Sequence, residues 1–255
     1  MRGFVEELLR EAGALALRHF RRVAAETKQD ESLVSEADRA VELFLRESIE
    51  RRFPDHRVLG EEFGEGARRE SPFVWAVDPI DGTTPYLRGL PTWGVGIGLL
   101  EGGRPLCGGF FLPALGDLFL AQRGEGAWCN GERLRPLAPA EVTKQTVLFI
   151  PSSHKRRFAI AYPGKRVSYG SAGAHVAYTA RGCAIAAVVD RPRLWDILGP
   201  ASALWEVGGC AEMAYGGEFR WEVLLGGEKA AGPVVFGRPE NVRTVQPYIE
   251  PLELP

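Results

Sequence analysis

A change of periodicity near residue 57 constrains this chain more than any other feature. From Phe4 to about Ala25 the residues Val5, Leu8, Leu9, Ala12, Leu15, Ala16 and Phe20 recur at helical spacing, which puts them on one face of a helix. A second helix is expected from Ser35, where Ser35-Glu36-Ala37-Asp38 fits a capping box. Its apolar stripe is Ala37, Val41, Phe44, Leu45 and Ile49, and it ends before Phe53-Pro54. Beyond these helices the pattern shortens to strands at 57–59, 73–77, 92–100, 106–112 and 117–122, with glycine alternating through 92–100. Such runs predict an antiparallel sheet with tight turns. After Ala138-Pro139-Ala140 we expect a strand at 146–150, a helix at 172–181, a strand at 184–189 and a helix at 195–207 that stops on Gly208-Gly209. Helices and strands in this mixed order predict layered α+β structure and not a βαβ repeat. The 255 residues suffice for one large domain or two intimate subdomains. We place the boundary at Ala138-Pro139-Ala140, which separates 1–140 from 141–255.

The charge balance excludes several classes of function. A formal net charge of -2 gives no electrostatic case for nucleic acid or an anionic membrane as partner. Glu6, Glu7, Arg10 and Glu11 break up the first apolar stretch, so it lacks a signal-peptide core. No other run reaches the ~18 apolar residues that span a bilayer. Cys107, Cys129, Cys183 and Cys210 stand apart, without the close pairs of a zinc or redox motif, and are expected to be packed thiols of a cytoplasmic protein. His19, His56 and His175 are equally scattered, which gives little support to a histidine-based metal site or triad. Gly94-Val95-Gly96-Ile97-Gly98 lacks the following helix of a dinucleotide loop and is read as a strand with small residues.

Chemistry is concentrated in Trp75-Ala76-Val77-Asp78-Pro79-Ile80-Asp81-Gly82-Thr83-Thr84. An apolar strand delivers Asp78 at its end, and Pro79 is expected to turn the chain sharply. Asp81 would then point back towards Asp78, with the Ile80 carbonyl free to act as an oxygen ligand. Gly82 and Thr83 would offer backbone N–H groups to an anion. Hard cations such as Mg²⁺ take these oxygen donors. An Asp-rich turn that merely caps local N–H groups would explain two aspartates three apart, but not the whole string. Gly60-Glu61-Glu62, again after a strand, and Leu194-Trp195-Asp196, opening a helix, accompany it.

These three strings, in this order, resemble the inositol monophosphatase family of Mg²⁺-dependent, lithium-sensitive phosphatases, from the first helix to Gly209. The resemblance implies an α+β layered αβαβα sandwich, commonly a homodimer. It implies that Glu61, Asp78, the Ile80 carbonyl, Asp81 and Asp196 hold two or three Mg²⁺ ions, with Mn²⁺ as a substitute and Li⁺ as an inhibitor. It further implies that Thr83 and Asp38 orient the attacking water, with Glu61 also catalytic. Ile80, Asp81, Gly82, Thr83, Ala172 and Asp196 would contact a small phosphorylated metabolite. The expected reaction is attack by a metal-activated water, without a phosphoenzyme, and Asp81→Asn is expected to cut turnover by orders of magnitude while leaving the fold intact.

The substrate is less constrained. Inositol-hydrolysing members carry an acidic residue seven positions before the Trp-Asp aspartate, where this chain has Val189, with Asp190 one step along. Arg88-Gly89-Leu90-Pro91-Thr92-Trp93 resembles the histidinol-phosphatase branch, although Thr84 stands where that branch often has lysine. Inositol phosphates, histidinol phosphate, fructose 1,6-bisphosphate and nucleotide 3′-phosphates are all candidates. The basic loop 152–157 would be either a contact for an anionic group or a solvated surface. A regulatory binding protein on the same fold is the alternative class, and a metal buffer is a third.

Overall fold

Both N-terminal helices form where their apolar stripes predict. The computed structural model describes residues 1–22, 26–27, 33–66, 70–152 and 157–252, with 26–27 and 33–34 described by backbone alone. Helix α1 (Arg2–His19) buries Val5, Leu8, Leu9, Ala12 and Ala16. It stops short of the expected Ala25, and residues 23–25 lie outside the described residues. A short ribbon, β1 (Glu26–Thr27) with β2 (Leu33–Val34), leads into α2 (Glu36–Arg52). Helix α2 starts at Ser35 as expected: Asp38 accepts hydrogen bonds from Ser35 N–H at 2.8 Å and Ser35 Oγ at 2.6 Å.

The strand-like middle of the chain builds one eight-stranded sheet. Its members are β3 (Arg57–Gly60), β4 (Gly64–Glu65), β5 (Phe73–Asp81), β6 (Gly94–Glu101), β7 (Arg104–Leu112), β8 (Asp117–Gln122), β9 (Gly126–Cys129) and β10 (Glu132–Arg133). The order is β10-β9-β8-β7-β6-β5-β3-β4, with α3 (Thr83–Leu87) between β5 and β6. All neighbours are antiparallel except β3 and β5, which run parallel. β5 also runs further than expected. Pro79 does not end the strand but sits in a bulge, since Asp78 pairs with Gly96 and Asp81 with Gly94. Three steps on one strand against two on the other absorb the residue that cannot donate to the ladder.

The second half adds β11 (Val147–Phe149), β12 (Phe158–Ile160), β13 (Lys165–Val167), α4 (Ala172–Ala180), β14 (Ala186–Val189), α5 (Leu194–Glu206), β15 (Cys210–Met213), β16 (Val234–Gly237), α6 (Pro239–Val245) and β17 (Ile249–Pro251). Five of these strands form a sheet in the order β13-β11-β14-β16-β15. The layers alternate α1/α2, large sheet, α4/α5, small sheet, α6. This is the αβαβα sandwich, and three main apolar cores fill its gaps. The core around α5 takes Val74 and Leu100 from the large sheet and Val189 and Phe236 from the small one.

Helix α5 lies unusually close to the large sheet because both surfaces lack side chains where they meet. A Cβ on Gly199 would come within 2.5 Å of the Gly109 carbonyl and 2.9 Å of the Ile97 nitrogen, and one on Gly108 within 2.6 Å of Ser202 Oγ. Gly96 and Gly98 of β6 and Gly108 of β7 are therefore the footprint of a helix, which extends the strand reading. Pro200 is the seventh residue of α5, beyond the first turn where its missing N–H would be harmless. The Asp196 carbonyl, four residues back, gets no helical N–H in return. Cys107 and Cys129 are buried as expected, but Cys183 is exposed and Cys210 half-buried.

Candidate active site

The parallel register of β3 and β5 pairs Gly60 with Val77. Glu61, just past the end of β3, and Asp78, within β5, therefore lie at the same level. Across β5 on the other side, Asp78 faces Gly96, and a Cβ there would lie 3.7 Å from the Trp195 carbonyl. A glycine at this place lets the first turn of α5 come down over the sheet, bringing Asp196 towards Asp78. Asp78 is 2 % exposed, and its Oδ1 is fully buried without a hydrogen-bond partner. Burial pushes its carboxyl well above the ordinary range, and the like charges of Glu61, Asp81, Asp196 and Asp38 push it further. Glu61, Asp81 and Asp196, expected to share a site with Asp78, are thus near enough to act on its charge. Among the described residues, however, no three Asp, Glu, His or Cys side chains are gathered closely enough to close around a metal ion. They act on one another through charge, not through a finished cage.

Three of the neighbours are turned to donors of their own. Asp81 does not point back to Asp78 as expected. Its carboxylate accepts hydrogen bonds from Ala172 N–H at 3.1 Å, Gly173 N–H at 2.6 Å and Ser171 Oγ, all at the start of α4. The N-terminus of a helix offers unpaired N–H groups and a partial positive charge, and Asp81 is drawn to it. Burial outweighs those bonds and raises its pKa to about 6. Asp196 accepts the Arg193 N–H at 2.7 Å, and burial lifts it to about 7. Asp38 is lifted by burial to about 6. Thr83 Oγ1 donates to the Ile80 carbonyl at 3.4 Å, while Asp38 takes its bonds from Ser35. Gly82 has φ +88° and precedes α3, so the first N–H groups of that helix have no helical acceptor. Ala172, expected against substrate, has its N–H on Asp81 and lines a cavity of about 160 Å³ beside Asp196.

Sequence reasoning missed the support of Glu61. Glu42, fully buried on α2, accepts Glu62 N–H at 2.6 Å and Phe63 N–H at 3.1 Å, fixing the turn that carries Glu61. Arg46, one turn further along, donates to Glu42 at 3.0 and 3.1 Å and to the Val58 carbonyl at 3.2 Å. An i,i+4 Glu–Arg pair reads from sequence as a surface ion pair; only its position against β3 makes it interior. His175 was set aside as scattered, yet it is 2 % exposed and lines the cavity with Asp196. The basic loop lies outside the described residues at 153–156, while Arg157 pairs with Asp190.

The comparisons with known proteins place this αβαβα sandwich among phosphatases. The model of the inositol monophosphatase family matches residues 1–236. A histidinol-phosphatase of Chlorobaculum parvum is 36 % identical over 80 % of this chain and 82 % of its own. A fructose-1,6-bisphosphatase/inositol-1-monophosphatase of Aquifex aeolicus is 32 % identical over 80 % and 81 %. The solved IMPase of Thermotoga maritima superposes with a TM-score of 0.81 at 27 % identity, covering 95 % and 93 % of the two chains. The chain belongs to the inositol monophosphatase family, whose members are Mg²⁺-dependent as a rule, and it is a phosphoric monoester hydrolase. No helix among the described residues is long and apolar enough to cross a membrane.

Proposed function

We propose that this chain hydrolyses a small phosphorylated metabolite at two or three Mg²⁺ ions held by Glu61, Asp78, the Ile80 carbonyl, Asp81 and Asp196. The observation that carries this reading is the buried, unpartnered Oδ1 of Asp78 amid four further carboxylates. A charge buried without compensation costs several kcal/mol, and hard oxygen donors of this kind are what Mg²⁺ takes. When bound, the metal polarises phosphoryl oxygens, offsets their charge and makes coordinated water more acidic.

The protein's own groups would do the rest. Glu61, held on its turn by Glu42, orients the attacking water with Thr83 and Asp38. The N–H groups at Gly82 and Thr83 receive phosphate oxygens, and Ala172 and Asp196 border the carrier. The homodimer is proposed from family resemblance, and the cytoplasmic location from the four separate cysteines. Phosphate release from a panel of phosphorylated metabolites, with Mg²⁺ and with EDTA, tests the reading. Mg²⁺-dependent release with single incorporation of heavy oxygen from solvent is expected. Release unaffected by EDTA, or a trapped phosphorylated side chain, would overturn it.

A further inference from the structure

A second cavity, of about 330 Å³, lies against the end of α5 far from Asp196 and shares no lining residue with the first. Its α5 residues, Ser202, Trp205 and Glu206, come six to ten positions after Asp196, which is ~9–15 Å along a helix axis. The β6–β7 turn makes the facing wall. Gly102 and Gly103 take φ of +57° and +77°, as a tight two-residue hairpin turn requires. A Cβ on Gly103 would lie 3.1 Å from Glu222, in the helical turn Trp221–Leu224. The turn therefore delivers Arg104, Pro105 and Leu106 to the same cavity as Trp205 and Trp221. The two indole rings lie 5.3 Å apart at 53°, and Phe219 meets Trp221 edge-on at 5.0 Å. Trp221 is 7 % exposed, so packing already fixes its ring.

The charges around these apolar walls are settled, with one exception. Glu206 accepts Gly124 N–H at 3.1 Å and Gly126 N–H at 2.8 Å. Arg123 donates to the Pro105 carbonyl at 2.7 Å, the Arg104 carbonyl at 2.8 Å and Glu101 at 3.0 Å. Glu222 lies 3.9 Å from Arg220. Arg104 is exposed, and its guanidinium has no hydrogen bond or ion pair among the described residues.

We propose that this cavity is a second ligand site, which takes a planar aromatic ring carrying a carboxylate or a similar anionic group. The ring lies beside Trp205 and Trp221, since aromatic groups attract one another beyond the area they bury. The anion pairs with Arg104, whose planar fork of donors matches a carboxylate. Small-molecule sites are built in this way, with mainly apolar and aromatic walls and a few placed polar groups. Because α5 forms one wall, the ligand grips the helix whose other end carries Asp196. No residue of the cavity is assigned to the metals or the phosphate, so the site stands apart from the proposed hydrolysis.

The probe is indole-3-acetate, titrated into the full chain in EDTA and followed by calorimetry. Fluorine NMR of protein carrying 5-fluorotryptophan at its six tryptophans locates the probe, with Trp205→Phe and Trp221→Phe assigning the two signals. One-to-one binding with a Kd of about 1 mM or tighter is expected. The Trp205 and Trp221 signals should shift, and that of Trp195, next to Asp196, should not. Arg104→Ala, a change at an exposed side chain, should weaken binding ~10-fold, to the level of the neutral indole-3-acetamide on the wild type. No binding of indole-3-acetate would overturn the proposal. So would a shift at Trp195 without one at Trp205 and Trp221, which puts the probe in the hydrolytic cleft, or equal affinity of Arg104→Ala and wild type. Binding is read without turnover, so none of these results decides the hydrolytic reading.

Discussion

Glu42 and Asp78 are both buried carboxylates, and both bear on the same end of the large sheet, yet their surroundings are opposite. Glu42 is enclosed by donors: two backbone N–H groups of the Glu61 turn and the guanidinium of Arg46. Asp78 has carboxylates as its charged neighbours and a buried oxygen that nothing among the described residues satisfies. Burial raises the pKa of both, but at Glu42 the N–H donors and Arg46 oppose the rise, while at Asp78 the next causes in rank add to it. A buried charge whose lone pairs are filled is architecture. One left open among like charges is the position to which the proposed function assigns a cation.

The comparison is broken most directly at Asp78. Asp78→Asn is expected to lower kcat/KM by about 10³-fold or more, about 4 kcal/mol of transition-state stabilisation, while the melting temperature in EDTA does not fall. A variant with near-wild-type turnover at saturating Mg²⁺ would place Asp78 with Glu42. The converse experiment is Glu42→Ala, which strands Arg46 and should cost about 3 kcal/mol in urea denaturation. Because it also releases the Glu61 turn, it should raise the Mg²⁺ concentration needed for half-maximal rate. Unchanged stability would show that the Glu42–Arg46 pair is not structural.

The pH response distinguishes the two environments in the same molecule. Burial holds Asp38 and Asp81 at about 6 and Asp196 at about 7, above the ~3.9 of an unfolded aspartate. Between these values the folded chain binds more protons than the unfolded one. The stability of the metal-free protein is therefore full below about pH 4 as far as these groups go, and is lost as pH rises towards 7. Melting in EDTA should drop across that interval, and saturating Mg²⁺ should remove the drop. A melting temperature that climbs from pH 5 to 7 in EDTA would contradict this. The smallest effect is expected at Ser171, the N-cap of α4, which accepts Ala174 N–H at 3.0 Å and donates to Asp81. Ser171→Ala should cost about 1 kcal/mol. If Mg²⁺ affinity rises with it, Asp81 is shared between α4 and the metal; if only stability changes, Asp81 is closer in kind to Glu42.

Much of the fold was legible because its causes are local. The stripes of α1 and α2, the capping box at Ser35 and the glycine stop after α5 depend on residues within a few positions of one another, and each lies where its spacing places it. Errors arose where a distant element supplied the deciding contact. Pro79 reads as a turn, but β6 holds it in a bulge. Asp81 reads as a partner of Asp78, but the start of α4, ninety residues on, offers it stronger donors. Gly96 and Gly98 of β6 read as strand positions, and nothing nearby in sequence says that α5 lies on them.

Sequence alone determined which chemistry is available: the oxygen donors Glu61, Asp78, Asp81 and Asp196, with glycine at 82 to let the backbone turn. Their types and order carry that information without any fold. Tertiary structure alone decided what each carboxylate experiences, because burial and the direction of neighbouring dipoles are properties of packing between segments. The same side-chain chemistry thus became a filled structural anchor at Glu42, an open position at Asp78 and an unsatisfied acceptor in the cavity at Asp190.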